Sequence, residues 1–425
     1  MIVIAYTTRY RDGGPRFAQV AQTLAQRLQA EGNTVVCRAV EDKAAFVELV
    51  TGHGTLQALH FVGHAGLYGP MFGTTAWPEQ FSPHEWRALS IPFGPGAEAH
   101  FHACRSARWF APFFARTFGV PSSGFHWYTA FSSRPDRYAW VPPWFPPQAP
   151  LFVAGCPGRK SHGLLASARK YAGRMPFEAP IRFEPGDADA SYDAVASDYD
   201  EVFDDIAVRH DELAWIEAHL PTGPFDALDI GCGNGALLQK LSGRLRSGVG
   251  VDASAGMITK AVARNGEDDR LRFAAIDGPT LPLPDHSIDV AISLLSFRYL
   301  DWDPLMLELR RVLRPTGKLL VVDMVDKPVT LRTAGRLLVD KLRVRRIEAA
   351  HPGYRRARKR MVGTSAWRTM LRYNPMRAFH EYDWYLGSRF PRGRLQTLNV
   401  GRRARVIAFD TGPFEHASLR EMAYP

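Results

Sequence analysis

The stretch Leu228-Asp-Ile-Gly-Cys-Gly-Asn-Gly235 sets a short apolar strand, three alternate glycines and the start of a helix in immediate succession. Glycine adopts backbone conformations closed to other residues, and without a Cβ it lets the chain approach a ligand closely. Such a loop belongs at the carboxyl edge of a parallel sheet, where open α/β sheets bind their ligands. Two later strand ends carry acids in matching places: Val249-Gly-Val-Asp252, 17 residues beyond Gly235, and Ala275-Ile-Asp277-Gly278. A carboxylate at the first can accept both ribose hydroxyls of a nucleoside, and one at the second can accept from an adenine amino group. The G-x-G-x-G spacing lacks the last glycine of the dinucleotide fingerprint, and no Lys-Ser/Thr follows as in a phosphate-binding P-loop.

A chain of 425 residues exceeds a single core, which stops growing near about 250–300 residues. Hydrophobic periodicity predicts two doubly wound α/β sheets, both mainly parallel. In the first, strands are expected at 2–7, 34–40, 56–62, 99–103 and 125–131, with helices at 17–30 and 108–118. Residues 140–150 are too rich in proline for regular structure. Pro176, Pro180, Pro185 and Gly186 mark a linker over 176–189, which separates a domain of residues 1–175 from one of residues 190–425. A helix over 192–220 and strands at 227–230, 247–251, 271–276, 287–294 and 318–323 follow.

These motifs resemble the class I S-adenosylmethionine-dependent methyltransferases, in particular the type 11 and quinone-biosynthesis-like group. The resemblance rests on LDIGCGNG, GVDAS with Met257 after it, AAIDGPTLPLPDHSIDVAIS and RRVLRPTGKLLVVDM, in that order. It covers residues 190–325, continues more weakly to 410, and implies a Rossmann-like fold with S-adenosyl-L-methionine as cofactor. It further implies that Gly231, Gly233 and Gly235 cradle the methionine end, with Asp229 at its amino group, and that Asp252 binds ribose. Met257 would pack on the adenine, whose amino edge Asp277 and Gly278 would hold. Tyr192 and Tyr199 would lie on a lid helix, and Ser293 and Leu294 would line the transfer cleft. His380, Tyr382, Arg298 and Tyr299 are candidate bases or orienting groups.

The first domain holds another pattern. Leu59-His-Phe-Val-Gly-His64-Ala-Gly66 and Ala99-His-Phe-His-Ala-Cys104 end neighbouring strands, so His64 and Cys104 emerge at one sheet edge as a possible thiolate–imidazole dyad. This resembles the caspase-like and CHAT group of clan CD cysteine peptidases, although Ala65 stands where that group has glycine. The domain is read as caspase-like or flavodoxin-like, and a peptidase joined to a methyltransferase acting on a peptide is the alternative function. A buried cysteine is commonly a small hydrophobe, and His60, His64, His100 and His102 lack a metal-ligand spacing, so no metal is expected.

The net charge of +10 is a balance of three blocks: +7 over 1–185, −11 over 186–325 and +14 over 326–425. The last contains a helical basic insertion over 327–380, read as a cap on the acceptor site whose guanidiniums pair with the acidic 187–212 segment or bind an anionic small molecule. With no RNA-binding module beside it, nucleic acid is not the expected partner, whereas peripheral lipid contact is compatible with it. The acceptor is expected to be quinone-like, a lipid or a natural product. Four cysteines without a CxxC pair, and an N-terminus without a signal-peptide pattern, suggest a cytoplasmic protein.

Overall fold

The computed structural model describes residues 1–157, 164–187, 193–203, 205–327, 329–373, 376–401 and 404–419. The chain divides into two compact units, one mainly Met1–Ala190 and the other mainly Ser191–Ala423.

The first unit begins β1 (Ile2–Tyr6), α1 (Gly14–Ala30), β2 (Val35–Ala39), α2 (Lys43–Thr51) and β3 (Leu56–Val62). Two short hairpins follow, β4 (Ala65–Gly66) with β5 (Gly69–Pro70) and β6 (Phe72–Gly73) with β7 (Pro78–Glu79). Then come α3 (Pro83–Ala88), β8 (Phe93–His102), α4 (Phe110–Phe118), β9 (Ser122–Gly124), β10 (Tyr128–Ser132), β11 (Phe152–Cys156), α5 (Leu164–Tyr171) and β12 (Ile181–Phe183). The main sheet runs β12-β9-β8-β3-β1-β2 and is parallel except for β12. Apolar side chains fill both faces, as a parallel sheet requires: Phe46, Phe61, Phe101, Phe110 and Phe114 around Trp86 on one, Ile2, Ile4, Phe17 and Val20 on the other.

Two expectations change here. The fifth strand splits: only Ser122–Gly124 joins the main sheet, while Tyr128–Ser132 pairs antiparallel with Phe152–Cys156 in a ribbon of its own. The intervening backbone is diverted into other bonds, Phe125 N donating to Ser106 Oγ at 3.1 Å and Trp127 O accepting from Arg105 N at 2.6 Å. Residues 181–183, read as linker, form the edge strand β12. Pro180 and Pro185 flank that strand without interrupting it, and an edge position tolerates such neighbours.

The second unit comprises α6 (Asp193–Val202), α7 (His210–His219), β13 (Phe225–Ile230), α8 (Ala236–Leu241), β14 (Leu245–Asp252), α9 (Ala255–Asn265), β15 (Leu271–Ala275), β16 (Ile288–Leu294), α10 (Trp302–Val312) and β17 (Leu313–Asp326). Its remainder is α11 (Leu331–Ala350), α12 (Pro352–Gly363), α13 (Ser365–Tyr373), α14 (Phe379–Arg389), β18 (Arg394–Val400) and β19 (Ala404–Asp410). The seven-stranded sheet runs β15-β14-β13-β16-β17-β19-β18. β19 alone runs against both its neighbours. The order reverses at β13 and β16, and this topological switch point opens a crevice at the strands' carboxyl ends. The expected helix over 192–220 is two helices, because Asp205 accepts from Ala207 N and starts a tight turn between them.

Within this unit α12 packs Ala357 and Met361 against Val202 of α6. Arg343 pairs with Asp211 at 3.0 Å, and Arg360 pairs with Glu201. Part of the basic insertion therefore meets the acidic segment, as the charge pattern suggests.

Candidate functional site

At the carboxyl edge of β13, Gly231, Gly233 and Gly235 all have positive φ, at 73°, 54° and 75°. Only glycine takes three such angles in five residues at little cost. Packing adds a second constraint at Gly231, where a Cβ would lie 2.3 Å from that of Ser296. At Gly233 a Cβ would meet nothing within 4 Å, so this residue faces open space. Asp252, ending β14, holds the loop from the other side: Gly233 N and Ser254 N donate to its two carboxylate oxygens, each at 2.9 Å.

A cavity of about 510 Å³ opens over this loop. Asp229, Gly231, Gly233, Asp252 and Met257 line it. Asp229 is fully buried, its carboxylate takes no hydrogen bond among the described residues, and burial together with Asp252 pushes its pKa up to about 8. A buried carboxylate left in this state is relieved by a cation. Basic and aromatic side chains line the same cavity: Arg209, Tyr199, Phe203, Arg298 and Tyr299. Arg209 donates to the Tyr199 hydroxyl at 3.0 Å and stacks 3.8 Å from the Phe203 ring centre. Burial opposes the charge of Arg298, but Tyr299 and Asp323 beside it hold its pKa well above the ordinary value.

Helix α6 is tied to the glycine loop by Asp200, which accepts from Asn234 Nδ2 at 2.8 Å and pairs with Lys260 of α9. Tyr199 lines the cavity one residue earlier, whereas Tyr192 lies outside the described residues.

Other expected positions fall elsewhere. Gly235 caps α8 against Asn265 and Phe273 and is not among the lining residues. Ser293 is completely buried, donating to Ile230 O at 3.3 Å and sharing a 2.7 Å hydrogen bond with Ser296, so the next residues, Leu294, Leu295 and Ser296, form the wall. Asp277 is exposed beyond β15 and, with Gly278, is absent from the lining. Tyr382 is no base: it is buried, donates to Asp323 Oδ2 at 2.5 Å, and burial with that carboxylate raises its pKa well above normal. His380 packs against Trp384 at 4.8 Å between ring centres. Asp200, Phe203, Arg209 and Ser296 were not foreseen.

Residues 228–321 match the family model described as "Methyltransferase domain". They form a methyltransferase domain. The mainly parallel sheet and the glycine loop around this methyltransferase domain agree with the Rossmann-like α/β fold expected from the sequence. The chain is 31% identical over 161 residues to a demethylmenaquinone methyltransferase of Clavibacter sepedonicus, covering 37% of this chain and 66% of that protein. It is 34% identical over 102 residues to a sterol 4-C-methyltransferase of Caenorhabditis elegans, covering 23% and 30%. A solved SAM-dependent methyltransferase from Aquifex aeolicus is similar over 53% of this chain and 100% of its own, at 14% identity and a TM-score of 0.35. The chain thus spans 66% or less of the length of these two curated relatives.

The donor set of the methyltransferase domain fits S-adenosylmethionine. Asp229 offers a buried carboxylate to a cationic methionine end, Gly233 offers open space above the loop, and Asp252 stands fixed at the next strand end.

In the first unit, His64 Nε2 bonds the Asp12 carbonyl at 2.9 Å and its ring packs edge-on against Phe17. Cys104 Sγ accepts from Thr129 N at 3.2 Å and lies 3.2 Å from the Thr129 hydroxyl. His60, His100 and His102 cluster on one face of β3 and β8, His60 Nδ1 lying 3.1 Å from His102 Nε2. No group of side chains able to hold a metal is found among the described residues.

Proposed function

We propose that this chain transfers a methyl group from S-adenosylmethionine to a small, acidic acceptor, and that residues 190–425 act as the domain that does so. The carrying observation is that one cavity is lined by both charge types, the carboxylates of Asp229 and Asp252 and the guanidiniums of Arg209 and Arg298. When bound, the cofactor supplies a methyl group already activated by its sulfonium charge. Asp229 and the glycine loop would hold its cationic end, and Asp252 its ribose. Arg209 and Arg298 stabilise an acceptor oxygen or carbon in its anionic form, which lowers the acceptor's pKa and makes a separate base unnecessary. Leu294, Leu300 and Phe203 supply apolar walls that exclude water, so alignment and desolvation furnish much of the acceleration. A hydroxylated aromatic ring such as a quinol meets these demands, in keeping with the quinone-methylating relative.

Isothermal titration with S-adenosylmethionine tests the first half; no binding by the full chain refutes it. Methyl transfer from labelled cofactor to a panel of phenolic and neutral acceptors tests the second. Arg209→Gln and Arg298→Gln are expected to retain cofactor binding while transfer falls by tenfold or more, on the order of the 1.4 kcal/mol that a tenfold change represents.

A further inference from the structure

The long helix α11 presents its inner face to the protein through Thr333, Leu337, Asp340, Ile347 and Glu348, all partly or fully buried. At 3.6 residues per turn these positions fall on one side, and Leu338, Leu342 and Ala349 fall on the other, with Val339 beside them. Leu338 is 65% exposed, Val339 59% and Leu342 58%. Scattered exposed aliphatics need no explanation, but three within five residues on one outward surface form a patch. Lys341, Arg345 and Arg346 border it, all exposed, and none makes an ion pair among the described residues. Across α11 and α12 the sequence holds eleven basic and two acidic residues.

We propose that the outer face of α11 docks on an anionic lipid surface, with Leu338, Val339 and Leu342 entering the headgroup boundary and Lys341, Arg345 and Arg346 pairing with lipid phosphates. Apolar residues flanked by cations on an otherwise polar helix are the pattern of interfacial helices. Charge complementarity selects an anionic bilayer over a neutral one. The aliphatic character selects lipid over single-stranded nucleic acid, whose bases stack on aromatic side chains, and the outer face of α11 carries none. Arg343, on the flank of the helix, is held by Asp211 and is left out of the docking surface. The inference does not depend on the methyl-transfer reading, although a membrane-facing helix in the same unit suits an acceptor dissolved in lipid.

The test is co-flotation of the full chain with phosphatidylcholine vesicles and with vesicles containing about one-third phosphatidylglycerol, at low and high salt. Binding to the anionic vesicles alone, weakened by salt, is expected. Each cation removed from such a surface costs roughly fivefold in partitioning, so R345Q/R346Q should lose roughly 25-fold. Leu338→Gln with Leu342→Gln should lose roughly tenfold or more through lost burial. All four positions are exposed, and titration of each variant with S-adenosylmethionine reports separately on the fold and on cofactor binding. Absence of flotation, equal binding to neutral vesicles, or full binding by both double variants overturns the proposal. So does a wild-type dimer that the leucine variants convert to monomer, which assigns the face to a second copy, or RNA binding in preference to vesicles.

Discussion

The Asp252 carboxylate accepts the backbone N–H of Gly233 at 2.9 Å across 19 residues of sequence, so the acid that ends one strand fixes the loop that ends its neighbour. Its second oxygen accepts Ser254 N and shapes the start of the next helix. Two charge-assisted bonds of this kind are each worth about 1.5–3 kcal/mol. Asp252→Ala is therefore expected to lower stability by roughly 3 kcal/mol and to weaken S-adenosylmethionine binding about 100-fold or more. Asp252→Asn, which keeps one acceptor oxygen, should lie between. Chemical denaturation and isothermal titration on the same three proteins check both numbers.

The burial of Asp229 gives the cofactor site a pH signature. An unperturbed aspartate titrates near 3.9, whereas the folded protein holds this proton up to about pH 8. Between those values the folded state binds more protons than the unfolded one, so ligand-free stability falls as pH rises through that window, by up to about 1.4 kcal/mol per pH unit. A cationic ligand requires the carboxylate, so cofactor binding should release a proton below pH 8 and tighten as pH approaches that value. Titrations in buffers of different ionisation enthalpy measure the release. Asp229→Asn should abolish it, flatten the pH dependence of stability and bind cofactor poorly.

The two central glycines of the loop separate backbone strain from steric fit. Gly231→Ala meets both a positive φ and a Cβ only 2.3 Å from that of Ser296, a contact that must displace the β16 end. Gly233→Ala meets a positive φ alone, a cost of about 1–2 kcal/mol. Gly231→Ala should thus be destabilised by at least about 2 kcal/mol more than Gly233→Ala in urea unfolding. Both should lose cofactor affinity, the second because its methyl projects into the open space above the loop.

Legibility from sequence followed the range of the interactions. Gly231, Gly233, Asp229, Asp252 and Met257 were readable because a strand end and the residues after it act locally, and these do line the cavity, whereas Gly235 caps α8. Ser293 was misplaced by a single step of strand alternation, its hydroxyl being drawn to Ile230 O while the following residues turn to the cavity. Arg209 was missed because its role depends on a turn between α6 and α7, where a continuous helix was expected. Its signal was present nonetheless: it is the lone arginine among the ten carboxylates of residues 187–212. The antiparallel pair β18 and β19 was also missed, since Arg394–Val400 alternates weakly and gains its place only by pairing with β19.

Beside Arg298, Asp323 is completely buried and serves four groups: the Arg298 backbone N–H, the Arg298 guanidinium, Met324 N and the Tyr382 hydroxyl. Removing one member of a buried ion pair strands the other, at about 3–5 kcal/mol. Asp323→Ala is expected to cost that much and to free Arg298 from its place at the cavity. Tyr382→Phe removes one bond and should cost about 1–2 kcal/mol with little effect on cofactor binding. Denaturation midpoints of the two variants, with cofactor titrations alongside, distinguish a positioning role for Asp323 from a purely structural one.

The first unit should be the acid-labile half of the chain. Burial, aided by the positive charge of neighbouring groups, lowers the pKa of His60 well below normal and that of His102 to about 3. Unfolded histidine titrates near 6.5, so below that pH the unfolded state takes up protons that the folded cluster excludes. Stability is therefore full above about pH 6.5 and declines as pH falls toward 3, at about 1.4 kcal/mol per unit for each histidine affected. His102→Gln keeps a polar side chain of similar reach without the titration and should flatten this decline, at some cost to stability at neutral pH from the altered bond to His60. Urea unfolding of the full chain at pH 7.5, 6 and 5, followed by hydrogen exchange in β3 and β8, reads the effect where it arises. A decline of equal steepness in the wild type and in His102→Gln would assign the acid sensitivity to other groups.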